Sequence, residues 1–446
     1  MCVKNRIAHA HHCVFIISYA QADVKDFREK IMDERTILHS DLNNFYASVE
    51  CMLRPELNRF PVAVCGRQEE RHGIVLAKNY AAKAYGVQTG EPIVRARAKC
   101  PALVCVDPHF GEYVKYSRLV RQIYMEYSDL VEPYGMDENF IDVSASLRLF
   151  GDGETIAHAI RERVRRETGL TVSVGVSFNK IFAKLGSDMK KPDAVTCIPR
   201  ESFRNIIWSL PAGDMLGVGR TAAAELHRYG ITTIGALAHC PDELLIRKFG
   251  VSGLRMKQYA NGEDTSAVLP ADYHAAPKSV SCGITFRDDL REEAEVWPMI
   301  LALADEVAYR LREEDKKAQS ISLTVKDCTL KVKEWQVKLP YPTHSALLLA
   351  THAFSVFRQK YLWSKPIRML CVRAIRLQDG DAAEQLTLLC SVGDMERTEQ
   401  VDRTVDEIRR RFGKGSITSA ATLRLDKMPR SPAHTDDTDA DILREL

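Results

Sequence analysis

Apolar positions along the first two hundred residues recur with the periods of alternating strands and helices. In "RTILHSDLNNFYASVE" the run through Ile37 and Leu38 predicts a strand reaching Asp41, and Phe45, Tyr46 and Val49 then fall on neighbouring turns of a helix. "PVAVCG" (61–66) reads as a strand, and "GIVLAKNYAAKAYGV" (73–87) as a strand leading into a short helix closed by Gly86. "VRQIYMEYSDLV" (120–131) predicts a helix, followed in "VEPYGMDENFIDV" (131–143) by a strand hairpin through Gly135. In "ETIAHAIRERVRRETG" (154–169) Ile156, Ile160 and Val164 share one helix face opposite basic residues, and "TVSVGVS" (171–177) alternates as a half-buried strand does. The order β, α/β insert, α, β, α, β describes an α+β layer.

After Pro199 the texture changes to short helices and glycine-bearing turns, up to about residue 268. The linker "VLPADYHAAP" (268–277) carries two prolines, and beyond it the pattern is strand (278–287), helix (293–315), strand (319–327), strand (330–339), helix (344–362), strand (367–377). That βαββαβ order predicts a separate compact domain. A tether and helix follow, and the chain closes on the acidic "DDTDADILREL".

Length changes this picture only by allowing it: 446 residues exceed what one core supports, so two to four domains are expected. The net charge of +2 names no partner. Twelve cysteines include no C-x-x-C, which argues against a zinc ribbon or a disulfide framework and fits a reducing cytoplasm. No apolar run reaches the ~18–20 residues of a membrane span, and "CVFIISYA" (13–20) lacks the basic flank of a signal peptide. His9, His11, His12 and Cys13 lack a second ligand pair at fixed spacing, so residues 1–34 read as a disordered leader.

Asp137 and Glu138 are adjacent carboxylates in an otherwise apolar strand, and Asp41 ends another. A sheet that set those strands side by side would bring three acids to one point, where each raises the pKa of the others. A divalent cation resolves the conflict, and carboxylate oxygens without histidine or cysteine suit Mg²⁺. Two such ions about 3.5–4 Å apart stabilise both the attacking and the leaving oxygen of a phosphoryl transfer.

"SDLNNFYASVE", "AKNYAAKAYGV", "YGMDENFIDV" and "GVSFNKIFAKLGSDMKKP" occur in that order, and together they resemble the Y-family DNA polymerases of the bacterial polymerase IV and UmuC type, over about residues 35 to 425. The resemblance implies a right-hand polymerase: palm (35–44 and 112–200), fingers (45–111), thumb with helix-hairpin-helix (201–268), little finger (278–377) and a C-terminal tether, helix and acidic tail (378–446). It implies that Asp41 and Asp137 bridge two Mg²⁺ ions, for which Mn²⁺ can substitute, with the Leu42 carbonyl as a further ligand, and that Glu138 holds the ion activating the primer 3′-hydroxyl. Tyr80, Lys83 and Lys191 fall where the family contacts the incoming triphosphate, and lysines there neutralise charge on the β- and γ-phosphates. Tyr46 resembles the ring that collides with a ribose 2′-hydroxyl. The chain departs from the family's usual residues at Asn43, where an acid is common, at Lys83, where arginine is common, and in "GMDE", where "SIDE" is common. Lysine cannot make arginine's two-pronged contact, which bears on nucleotide choice.

DNA contacts are also legible in residue types. The G-V-G turn of Gly217 and Gly219 opens a helix as a helix-hairpin-helix does, letting backbone amides approach a phosphate; Lys278 begins the C-terminal domain and is a further candidate contact. Residues 316–377 hold twelve Lys or Arg against two Asp or Glu, enough to track a DNA backbone without reading sequence. The pentapeptide "QLTLL" supplies Gln385, Leu386, Leu388 and Leu389 in a form that resembles the bacterial sliding-clamp peptide, although Leu389 stands where phenylalanine is common. The expectation is a monomeric, cytoplasmic, low-fidelity translesion polymerase acting on primer–template DNA and deoxynucleoside triphosphates. A non-catalytic DNA-binding scaffold on the same fold and a two-metal nuclease are its rivals.

Overall fold

The computed structural model describes residues 35–66, 73–273, 275–382 and 392–422. They divide into two compact units, the first comprising described residues up to 65 and 75–273, the second comprising 66, 73–74 and the described residues after 273. No helix among the described residues is long and apolar enough to cross a membrane.

In the first unit the strands are β1 (Ile37–Leu42), β2 (Val62–Cys65), β3 (Val75–Lys78), β4 (Val104–Val106), β5 (Val131–Pro133), β6 (Glu138–Asp142), β7 (Val172–Ser177) and β8 (Val195–Ile198). Its principal helices are α1 (Phe45–Leu53), α2 (Tyr80–Ala84), α3 (Ile93–Lys99), α4 (Phe110–Met125), α5 (Gly153–Thr168), α6 (Lys180–Met189), α7 (Arg220–Arg228), α8 (Asp242–Phe249) and α9 (Val251–Ala260). A five-stranded sheet in the order β5-β6-β1-β7-β8 has β1 at its centre, antiparallel to both neighbours. A smaller sheet, β3-β2-β4, encloses its own core of residues such as Val75, Ala82, Ile93 and Leu103.

Because side chains alternate along a strand, β1 divides its residues between two environments. Leu38 and Leu42 enter the main core with Val49, Tyr113, Ile160 and Val174, while Ile37 joins Phe140 and Ala183 on the opposite face. Strand β7 is buried at all six positions rather than half-buried as its alternation predicts. The reason is that its polar and small set faces a helix and not water: a Cβ on Gly175 would lie 1.9 Å from the Ala183 carbonyl oxygen. Helix α6 can therefore lie directly on β7. The helix expected at 120–131 instead spans Phe110–Met125, because its buried face continues back through Tyr113, Val114 and Ser117.

The second unit contains β9 (Ser279–Leu290), α10 (Glu293–Glu313), β10 (Lys316–Asp327), β11 (Val332–Thr343), α11 (Ala346–Lys360) and β12 (Ile367–Asp379), the βαββαβ order expected. Its sheet runs β11-β10-β12-β9, and Ile321, Leu323 and Val325 pack beneath α10 and α11. Ser320 and Ser322 lie on the other face, where Lys338 and Arg373 stand in register with them. Helix α12 (Val392–Phe412) joins this unit through Asp406, which receives Nε and Nη2 of Arg312 at 2.5 and 2.9 Å, both side chains being 8% exposed.

Candidate active site

The β1–β6 register sets Asp41 directly opposite Glu138, and the Leu42 N–H donates to the Asp137 carbonyl at 2.9 Å. Three carboxylates thus occupy adjoining positions on two neighbouring strands. Asp41 and Glu138 stand on the face of the sheet that α6 covers. From that helix Lys184 donates to Glu138 Oε2 at 2.6 Å, and just beyond it Lys191 donates to Asp41 Oδ2 at 2.7 Å. Asp188 lies 3.6 Å from Lys184 and 2.9 Å from Lys191. His39, two residues before Asp41 and so on the same face, places Nε2 3.1 Å from Glu138 Oε2 and Nδ1 2.8 Å from Ser187 Oγ.

These contacts separate the three acids electrostatically. Burial, followed by the charges of Asp41 and Glu138, pushes Asp137 up to about 6. Burial acts upward on Glu138 as well, but hydrogen bonds from His39 and Lys184 outweigh it and bring that carboxyl down to about 2. At Asp41 burial prevails over Lys191 and the pKa is raised. Burial lowers the pKa of His39 against the pull of Glu138. The donor set, carboxylate oxygens with a neighbouring backbone carbonyl at Leu42, has the hardness a divalent ion requires. On that chemistry the residues fit such an ion. Lys191 puts a cation against Asp41 already; among the described residues no three His, Cys, Asp or Glu side chains are grouped as the ligands of one ion.

Tyr46 lies next to this cluster. Its hydroxyl donates to Met136 Sδ at 3.1 Å, and its ring stacks on Tyr113 at 4.3 Å and 10°. Tyr80 and Lys83 are exposed on α2, with the Lys83 ammonium 5.5 Å from the Tyr80 ring centre. Asn79 fixes that short helix, its Oδ1 accepting from the N–H groups of Ala82 and Val62. Burial raises the pKa of the Tyr80 hydroxyl, on which Lys191 and Asp41 also act.

Asn43, read from sequence only as a departure, is 3% exposed and fully engaged. Its Oδ1 accepts from the Asp193 N–H at 2.9 Å and from Thr171 Oγ1 at 3.1 Å, while Nδ2 donates to Ser173 Oγ at 2.9 Å. Lys184 and His39 escaped sequence reasoning altogether. A polar His39 inside an apolar strand, in phase with Asp41, was the available signal.

Gly217 has φ 90 and Gly219 is the N-cap of α7, with open space where a Cβ would stand. Lys278 is exposed just before β9. Gln385, Leu386, Leu388 and Leu389 lie outside the described residues, as does the leader 1–34.

Residues 40–188 match the model of the impB/mucB/samB family and residues 277–388 that of the impB/mucB/samB family C-terminal domain. A DNA polymerase IV of Acetivibrio thermocellus is 46% identical over 384 residues, which are 86% of this chain and 96% of that protein. DNA polymerase IV 2 of Bacillus subtilis is 35% identical over 406 residues, covering 88% and 96%. Among solved structures, a Y-family DNA polymerase chimera of Dbh and Dpo4 superposes with a TM-score of 0.68 at 22% identity, over 76% of this chain and 98% of that one, a likeness of fold.

Proposed function

The chain belongs to the impB/mucB/samB family of Y-family DNA polymerases, and from that premise we propose that it is a low-fidelity, translesion and repair enzyme whose two metal ions are held by Asp41, Asp137, Glu138 and the Leu42 carbonyl. Family membership makes it a DNA-directed DNA polymerase that depends on divalent metal and acts on DNA and nucleotides, and sets aside the scaffold and nuclease readings. The observation that carries the site assignment is the pairing of Asp41 with Glu138, with the Asp137 carbonyl bonded to the N–H of Leu42 beside them.

In the reaction the primer 3′-oxygen forms a bond to the α-phosphorus of a deoxynucleotide, the bond to the β-phosphate breaks, pyrophosphate leaves, and the hydroxyl proton passes to solvent. Mg²⁺, or Mn²⁺ in its place, would supply charge stabilisation at the attacking and leaving oxygens. Lys191 and Lys83, with the Tyr80 hydroxyl, receive the triphosphate. Tyr46 excludes a 2′-hydroxyl. The Gly217–Gly219 amides, Lys278 and the basic face of the second unit hold DNA phosphates. We assign palm, fingers, thumb and little finger to the ranges given from sequence, and a monomer acting in the cytoplasm.

Gln385, Leu386, Leu388 and Leu389 bind the sliding clamp, where apolar anchors on an extended segment fill a pocket and the amide directs it. A peptide spanning 383–391 titrated against the clamp tests this partner. The function itself is tested by primer extension on intact and damaged templates with Mg²⁺ or Mn²⁺, using Asp137→Ala as control. Extension that stops at every lesion would overturn the translesion role.

A further inference from the structure

Glu50 is a fully buried carboxylate that the reaction above does not use. It lies one turn after Tyr46 on α1, so the two side chains share a helix face. Tyr113, itself 0% exposed, joins them from α4: its ring is the platform beneath Tyr46, and its hydroxyl donates to Glu50 Oε1 at 2.5 Å. His109 Nδ1 lies 2.8 Å from the same oxygen, and Arg54 donates to Oε2 at 2.5 Å. Phe110 meets both stacked rings edge-on, at 6.0 Å from Tyr46 and 5.7 Å from Tyr113. On its outer side Tyr46 is held by Met136, whose carbonyl accepts from Ser117 Oγ at 2.5 Å on the same helix as Tyr113.

The connections close a circuit: Tyr46 to Tyr113 by stacking, Tyr113 to Glu50 by hydrogen bond, and Glu50 back to Tyr46 through one helical turn. A stacked pair by itself slides, because offset geometries of similar energy are many. A short hydrogen bond to a carboxylate fixed by two further donors removes that freedom at the platform. We propose that Glu50 and Tyr113 are positioning residues for sugar discrimination, holding the Tyr46 ring at one height and tilt against the nucleotide sugar. The inference rests on the reading of Tyr46 as the ring that excludes the 2′-hydroxyl. It assigns a purpose to a buried charge that packing alone would replace with an apolar side chain.

The experiment is single-turnover incorporation of matched dNTP and rNTP by the full-length enzyme. Tyr113→Phe keeps the platform and deletes its tie to Glu50; the rNTP/dNTP ratio of kcat/KM should rise about tenfold, the scale of one lost hydrogen bond to a charged group, with dNTP incorporation nearly unchanged. Glu50→Gln retains an acceptor for the Tyr113 hydroxyl and should restore most of the discrimination, while Glu50→Ala should lose it. In a Tyr46→Ala background Tyr113→Phe should add nothing, since it acts through that ring. If Tyr46→Ala raises the ratio and neither Tyr113→Phe nor Glu50→Ala does, the circuit is packing only and the inference fails. If Tyr46→Ala leaves the ratio unchanged, the gate reading itself is wrong. Should Glu50→Ala not fold, Tyr113→Phe and Glu50→Gln decide the matter alone.

Discussion

Asn43 Oδ1 accepts the backbone N–H of Asp193 at 2.9 Å, and together with the Lys191–Asp41 bond it ties the end of β1 to the turn that carries Lys191. Arg161 steadies the same turn, donating to the Asp193 carbonyl at 2.9 Å. Asn43→Ala leaves that N–H and two hydroxyls without their buried partner and should cost about 1–3 kcal/mol of stability. Loosening of the turn that carries Lys191 should raise KM for dNTP several-fold more than it lowers kcat. Asn43→Asp keeps the acceptor and should fall much nearer the native enzyme in steady-state kinetics.

Each of Asp41→Ala, Asp137→Ala and Glu138→Ala should abolish nucleotide addition while primer–template affinity, measured by fluorescence anisotropy, changes little. The acids belong to the first unit, whereas the basic face that includes Lys338 and Arg373 belongs to the second.

The pH dependence of stability should carry a mark from Glu50. Burial acts to raise its pKa, but hydrogen bonds from Tyr113, His109 and Arg54 prevail and hold it below the ordinary carboxylate value of 4.5. The unfolded chain therefore binds the proton more readily than the folded one, so the stability Glu50 contributes is complete above about pH 4.5 and is lost as pH falls through the lowered folded value. Thermal melts of Glu50→Gln should lie below the native protein at pH 7, and the gap should narrow on acidification below about 4.5.

Much of the fold was legible because its signals are local. The apolar run before Asp41, the hairpin through Gly135 and the order of the βαββαβ unit all depend on nearest neighbours, and they stand within a few residues of the expected bounds. What escaped depends on partners distant in the chain. Lys184 is an ordinary helix lysine until β6 brings Glu138 to it across 46 positions. Tyr113 belongs to a stretch, "FGEYVKYSRL", whose mixed polarity hides the helix, and only the packing of Tyr46 shows its purpose. The burial of β7 follows from Ser173, Gly175 and Ser177 being small enough for α6, which alternation alone reads as solvent exposure.

Asp406→Ala should destabilise the second unit by about 3 kcal/mol, because Arg312 keeps its burial and loses two hydrogen bonds, with Asp402 remaining at 3.7 Å. Replacing both partners, Arg312→Met with Asp406→Leu, should recover most of that loss. Urea unfolding of the three variants measures it.

The lysines beside the acids bear on how the protein can be handled. Lys184 and Lys191 already neutralise Glu138 and Asp41, so these two acids of the five-stranded sheet carry their own counterions when it folds. A zinc finger collapses in a chelator because its metal is part of its folding free energy; this enzyme should instead rest in EDTA silent but intact, with its melting temperature nearly unchanged and its activity recovered within the time it takes Mg²⁺ to mix.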